Sequence, residues 1–318
     1  MLRIGQVEAT ATQDGKYTDG SVAGGIAATR LRAAAFNAMQ EELAHIVESA
    51  GLALDINDMT QVLKAIQKLT LSRANPFADI KSDGAAAIST ALTNLGLGDA
   101  SGYVGRLLKI QVFYNSGIYN PTPGTKKVIV EMVGGGGGSA GSRAAASGNI
   151  SVGGAGGAGS YAKGQFTQNF SGVQITVGTK GAGGTSSGPY ASDGGTSSFG
   201  SLITAAGGSA GQPAGPTNSF PFSTVAGVVS AGANGANIIG TPGQGTSASI
   251  AVSAAVVIES PGGSSQFGAG GFITAFNAKG VNGSGYGSGG GPSKVNGGNA
   301  AVAGGDGAPG LVIIWEYA

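Results

Sequence analysis

The stretch KKVIVEMVGGGGG, residues 126–138, decides the fold of this chain, because it joins a β-strand pattern to a run of consecutive glycines. Valine and isoleucine favour extended strands, whereas the glycines supply no side chain for a conventional core. A second strand pattern, LVIIWEY at Leu311–Tyr317, lies at the far end of the glycine-rich sequence. If these two strands pair, the ends of the glycine-rich domain meet, and the whole sequence between them forms one long connection. Two further short strands are predicted at Gln174–Val177 and Ala251–Val257.

Glycine is concentrated in one part of the chain. Of the 63 glycines in 318 residues, 12 lie in residues 1–123 and the remaining 51 in residues 124–318. Such a sequence has too few large side chains to bury a conventional core, yet only 10% of all residues are charged, which argues against a disordered tail. Glycine clusters allow backbones to approach closely, so the sequence predicts a dense interior held by main-chain hydrogen bonds.

The composition also narrows the function. The chain has no cysteine and a single histidine, His45, so neither a sulfur-based metal site nor a histidine-based catalytic site is expected. A formal net charge of +1 gives no attraction towards nucleic acid. The glycine run after the first strand is not followed by a helix, which disfavours a dinucleotide-binding loop. We therefore expect no enzyme activity, no cofactor and no metal, and Met1–Thr10 lacks the apolar run of a signal peptide.

Two helices are predicted near the N-terminus. Phe36, Met39, Leu43 and Ile46 follow the 3-4-3 spacing of a coiled-coil seam. The alternative is a helix packed within one chain, and the short pattern leaves both possibilities open. A second helix is predicted from about Asp58 to Leu71, with Asp58 as its N-cap. Each helix is short and must pack against something to be stable.

Two long stretches resemble bacteriophage and prophage tail fibre proteins. Tyr17 to Leu69 contains TDG, GGIAATR, FNAMQEEL and ESAGL in the order found in the N-terminal region of such fibres. Val112 to Ser142 is similar to the opening of their glycine-rich C-terminal domain. GSYAKGQFT, QITVGTKGAGG and GGTSSFG follow in that domain's order, and GGDGAPGLVIIWEYA is similar to its last strand.

The resemblance implies a mixed fold class. Short N-terminal α-helices, trimeric and coiled-coil-like, would precede a glycine-rich domain of packed polyglycine II helices bracketed by a few β-strands. The implied domains are an attachment segment (residues 1–30), a two-helix trimerisation region (31–74), a linker module (75–107) and a receptor-binding tip (108–318). Phe36, Met39, Leu43 and Ile46 would then form the trimer contact.

The resemblance also implies a function in host attachment. The chain would be a virion protein of a phage, or of a tailocin, and would bind a receptor on the bacterial surface, either a lipopolysaccharide glycan or an outer-membrane protein. Further expected partners are baseplate or tail proteins and a tail fibre assembly chaperone. The alternatives are a non-viral structural or ice-binding glycine-rich protein and a depolymerase of surface polysaccharide.

Polar and aromatic residues in turn-rich sequence are the candidates for receptor contact. Exposed aromatic side chains provide rigid contact area for sugar rings or protein loops, and loops on a rigid scaffold commonly carry recognition. The alternative for each aromatic residue is that it packs at the edge of the scaffold or at a subunit interface. The candidates are Tyr190, Asp193, Phe220, Phe222, Phe272, Phe276, Asn277 and Tyr286.

Overall fold

The computed structural model describes residues 3–70, 77–95, 105–226 and 230–318. The chain divides into two compact units, Met1–Leu95 and Gly96–Ala318. Residues 75–76 and 96–104 of the predicted linker module lie outside the described residues.

The first unit is built from short helices. After a 3-10 turn at Ile4–Gln6 come α1 (Ala33–Ser49), α2 (Gln61–Leu69), α3 (Ala78–Ser82) and α4 (Ala85–Asn94). Val47 and Ala50, at the end of α1, pack on Ala65 of α2 in a small buried cluster. Helix α2 begins later than predicted, because Asp58 accepts the Thr60 N–H at 2.8 Å and forms a turn before the helix.

The predicted fold class is wrong for the first unit, because its described helices do not form a coiled coil. Helix α1 ends at Ser49, and Gly51, with φ +69°, reverses the chain so that α2 folds back on α1. Ile46 of the predicted seam packs at this contact within one chain. Phe36, Met39 and Leu43 remain exposed, so their role in a trimer contact stays a prediction.

In its described residues, the second unit contains four antiparallel sheets. The strands are β1 (Leu107–Phe113), β2 (Gly117–Ile118), β3 (Lys127–Val133), β4 (Ile150–Gly153), β5 (Tyr161–Phe166), β6 (Gln174–Thr176), β7 (Ser197–Phe199), β8 (Ile203–Ala205), β9 (Pro213–Thr217), β10 (Phe222–Ser223), β11 (Ala233–Asn234), β12 (Ile239–Thr241), β13 (Ile250–Ser253), β14 (Val256–Ile258), β15 (Lys294–Asn296) and β16 (Leu311–Tyr317). The orders of the strands in the sheets are β1-β16-β3-β5-β12, β11-β8-β7-β6-β2, β15-β4-β9 and β10-β13-β14.

The two strongest strand predictions are confirmed, since β3 and β16 pair antiparallel along their full length. Their inward side chains, among them Met132 and Ile314, share the main core with Phe199 and Ile203 of the second sheet. The two ends of the glycine-rich sequence therefore meet in this pair, as the sequence suggested. Tyr119 is also fully buried there, and its hydroxyl donates to Glu316 at 2.7 Å.

The predicted fold class is wrong for the glycine-rich part as well, because sheets rather than a few bracketing strands dominate it. Many of these strands are only two to four residues long and are separated by glycine segments. Such short runs show too few alternations of apolar and polar residues to be recognised as strands. The segment predicted as one strand at Ala251–Val257 is a hairpin of β13 and β14.

Extended glycine-rich segments, which we call the scaffold, connect the sheets and bond to each other through their backbones. In Gly134–Ser142, successive N–H groups donate in turn to three neighbouring segments, and the order repeats every third residue. These acceptor segments are residues 154–160, 189–195 and 302–308. N–H groups from residues 181–184, 208–211 and 290 donate back to carbonyls of the same stretch. The central segment is fully buried, and each of its N–H groups donates to a main-chain carbonyl.

We predict that Gly136→Ala destabilises the protein severely, because a Cβ at Gly136 would lie 1.9 Å from the Ser288 carbonyl oxygen. The expected loss exceeds about 4 kcal/mol, or folding fails. At Gly157 the nearest atoms lie 3.5 Å from the added Cβ, so Gly157→Ala should change stability by less than about 1 kcal/mol. Thermal unfolding of the two variants tests this, and equal melting temperatures would contradict it.

Candidate functional site

The extended segments separate two ends of the second unit. Residues 153–160 lead from β4 to β5, and at about 3 Å per residue they place these strands roughly 25 Å apart. One end carries the β3–β16 pair together with β1. The other, which we call the distal end, carries β4, β9, β10, β13, β14 and β15 with their loops.

Three predicted contact residues come together at the distal end. Phe220, Phe222 and Phe276 pack on the buried cluster formed by Ile150, Val152 and Ala251. The rings of Phe220 and Phe222 lie 6.0 Å apart between centroids. All three side chains are half-buried, so their first role is to form a small core that holds the distal strands together.

Two other predicted residues are exposed. Tyr190 and Phe272 are 66% and 65% exposed, and each offers an aromatic surface to a partner. Arg143 places its guanidinium 5.8 Å from the Tyr190 ring centroid and donates to the Gly215 carbonyl at 2.7 Å. This contact orients Tyr190 against the scaffold while leaving most of its ring accessible.

The β13–β14 hairpin adds apolar surface that the sequence analysis missed. Ile250 and Ile258 are directly opposite each other in the hairpin, and both are exposed, as are Val252 and Val256. Ala251 and Val257 point the other way, to the distal cluster. This period of two was the signal that could have revealed an exposed face, but the prediction of one continuous strand obscured it.

The remaining predicted residues have structural contacts. Asn277 adopts φ +60° and donates its backbone N–H to the Lys294 carbonyl at 2.8 Å, which pins the loop to β15. Asp193 accepts the Ala210 N–H at 2.6 Å on the side of the scaffold. Tyr286 packs its ring 5.8 Å from Tyr114, which follows β1 at the opposite end. Asp193 and Tyr286 are therefore not part of the distal end.

A buried ion pair connects three distal segments. Lys294 of β15 donates to Glu259, which follows β14, and to the Thr274 carbonyl, and its ammonium lies 5.3 Å from the Phe276 ring centroid. Both charged side chains are almost fully buried. Burial raises the pKa of the Glu259 carboxyl, against the opposing effect of the Lys294 ammonium. Within the described chain, Glu259 Oε1 and Thr274 Oγ1 have no hydrogen-bond partner.

The carboxylates of the glycine-rich part bond to different partners. Glu131 accepts from the Tyr161 hydroxyl, Asp306 from Lys180, and Glu316 from Tyr119. Among the described residues, no group of three or more His, Cys, Asp or Glu side chains is placed to hold a metal ion. No described helix has the length and apolar character needed to cross a membrane.

Comparison with known proteins finds a relative that matches part of the chain. No family model matches the chain. It is similar to a protein of Escherichia coli (strain K12) named "Uncharacterized protein StfP", with 46% identity over 85 residues. The match covers 27% of this chain and 40% of that relative, so the chain spans less than half of the relative's length. The relative's name states no activity.

We predict that Lys294→Met destabilises the protein by about 3–5 kcal/mol, because it leaves Glu259 buried without its cation. The pKa of Glu259 should rise further, so the folded state would hold a proton that the unfolded state releases. The variant should therefore lose more stability as pH increases above about 4.3, the ordinary glutamate value. Denaturant unfolding between pH 5 and 8 measures this.

Two control variants accompany that measurement. The double variant Glu259→Leu/Lys294→Met should recover most of the stability and lose the added pH dependence, since neither charge remains buried. Lys180→Met breaks the more exposed pair with Asp306 and should cost less than about 1 kcal/mol. If the Lys180 and Lys294 variants lost equal stability, burial of the Lys294 pair would not be the cause.

Proposed function

We propose that this chain is a tail fibre protein of a phage or tailocin, and that its distal end binds a receptor on the bacterial surface. The observation that carries the proposal is the exposed aromatic and aliphatic surface of the distal end, presented on a backbone-bonded scaffold. The resemblance of both units to tail fibre sequences supports the same function. The receptor is a glycan of the lipopolysaccharide or an outer-membrane protein.

The distal surface has the composition of a contact site. Phe272 and its neighbour Ile273 are exposed in the loop that Lys294 fixes through Thr274. The hairpin strand β14 ends at Ile258, immediately before Glu259 of the same ion pair. Exposed apolar side chains on segments held in place lose little conformational entropy on binding, which favours recognition. A patch of this kind on a surface commonly marks an interaction site.

In this proposal the first unit joins the chains of the fibre to each other and to the rest of the particle. Phe36, Met39 and Leu43 form an exposed apolar stripe on α1, and a short helix with such a stripe gains stability when another chain covers it. We propose that three chains associate through this stripe, and that the N-terminal segment joins baseplate or tail proteins with the aid of an assembly chaperone. The protein would then be part of the virion.

The trimer is tested by light scattering of the purified full-length chain. We expect three chain masses for the unmodified protein and a lower mass for Leu43→Asp, because a charge would be buried in the stripe. Asn37→Asp adds the same charge at another exposed position of α1 and should leave the mass unchanged. A monomeric unmodified chain would contradict the trimer, and equal effects of both variants would exclude the stripe as its contact.

Receptor binding is tested by adsorption of the labelled protein to host cells. Phe272→Ala and Tyr190→Ala should each reduce adsorption at least tenfold, because aromatic anchors often contribute 2 kcal/mol or more to an interface, that is about 30-fold in affinity. Ile110→Ala is the control, since Ile110 is similarly exposed but lies on β1 at the opposite end. Melting temperatures of all three variants confirm folding.

Two results would overturn the proposal. Adsorption that persists in the double variant Phe272→Ala/Tyr190→Ala would show that the distal aromatics do not bind the receptor. A folded trimer that adsorbs to no strain in a broad bacterial panel would favour a structural protein. Clearing of a capsule halo by the purified protein would instead indicate a polysaccharide depolymerase.

A further inference from the structure

A polar groove lies beside β12, at the end of the unit opposite the distal end. It has a volume of about 300 Å³, which is at the lower limit of small-molecule sites in proteins. One wall comes from the start of β5 and the residues after β12, and the other from the turn that follows the hairpin. Its lining includes Tyr161, Thr241, Pro242, Gln244, Ser264 and Gln266.

The groove presents side-chain groups that are free to bond a ligand. Gln244 Oε1 accepts the Ser264 N–H at 2.7 Å, and this bond fixes the amide so that its NH₂ group is left without a partner in the described chain. Gln266 is exposed, and its amide has no bonding partner among the described residues. Ser264 Oγ accepts the Gly270 N–H at 3.2 Å and keeps its own hydrogen available. Donors and acceptors therefore face the groove from two sides.

The wall formed by the start of β5 and the residues after β12 also has an apolar part. Tyr161 donates its hydroxyl to Glu131 Oε1 at 2.7 Å, so its ring is held in one position. Its centroid lies 6.3 Å from that of Phe267, and Pro242 extends the apolar surface. A rigid ring beside free amides offers a ligand one apolar face and several hydrogen bonds.

We propose that this groove binds a neutral saccharide of one or two sugar rings. Among the described residues no charged side chain lines it, so a phosphate or carboxylate would lose water without gaining a cation. A purely apolar ligand would leave the amides of Gln244 and Gln266 buried without partners. A sugar ring has hydroxyls for the amides and C–H faces for the Tyr161 ring. The groove is a second site, and the proposal does not depend on receptor binding by the distal end.

The test uses the purified full-length protein and saturation-transfer NMR with separate probes: galactose, glucose, N-acetylglucosamine and their disaccharides, with glucose 6-phosphate as the charged comparison. We expect saturation transfer to at least one neutral sugar and little to the phosphate. Gln266→Ala should weaken that binding at least tenfold. Gln165→Ala removes an exposed glutamine of β5 that lies outside the groove, and binding should be unchanged.

Gln266→Ala keeps the test decisive, because this side chain bonds to no described residue and its loss should not disturb folding. Gln244→Ala should also weaken binding, and its melting temperature reports any loss of the turn at Ser264. No transfer to any neutral sugar would overturn the proposal, as would equal losses in the Gln165 and Gln266 variants. If Gln266→Ala loses sugar binding but still adsorbs to cells, the groove and the distal end act independently. Failure of one proposal is then distinguishable from failure of the other.

Discussion

The second unit depends on the close approach of backbones around Gly134–Ser142. A Cβ added at any of Gly134–Gly138 would meet a carbonyl oxygen of a neighbouring segment at 1.9–2.1 Å. No L-amino acid with a side chain fits there, and the space is instead used for N–H to carbonyl bonds in several directions. Each such bond contributes only about 1 kcal/mol net, so many are needed, and the short strands at both ends add side-chain cores.

This constraint determines where side chains are allowed. Inside the scaffold the side chains are small and bond to the backbone. Ser142, for example, donates its hydroxyl to the Ser293 carbonyl at 2.8 Å. Large side chains collect at the two ends, in the core around Phe199 and in the distal cluster around Ile150. The outer surfaces of these ends, and the groove beside β12, are the places where such a molecule can carry recognition chemistry.

The parts of the fold that the sequence predicted are those set by local chemistry. The strands β3 and β16 are rich in β-branched residues, and the close approach of glycine backbones needs no knowledge of the partner segments. The sheets could not be predicted, since the strand partners are distant in sequence: β1 pairs with β16, and β4 pairs with β15. The 3-4-3 spacing on α1 was compatible with two arrangements, and the fold-back onto α2 depends on the turn at Gly51.

The predicted contact residues of the distal end likewise differ in whether local sequence was enough to predict their exposure. Tyr190 and Phe272 could be selected as aromatic residues among turn residues, but the burial of Phe220, Phe222 and Phe276 depends on β4 and on the β13–β14 hairpin. Lys294 and Glu259 are isolated charges in a nearly uncharged sequence, and only folding brings them together. A buried pair of this kind is a weak source of stability, because the cost of desolvating both charges offsets their attraction. Lys294 bonds to Glu259 and to the Thr274 carbonyl and so holds the loop of Phe272 beside the hairpin, whereas the scaffold is held by main-chain hydrogen bonds and by small side chains such as Ser142.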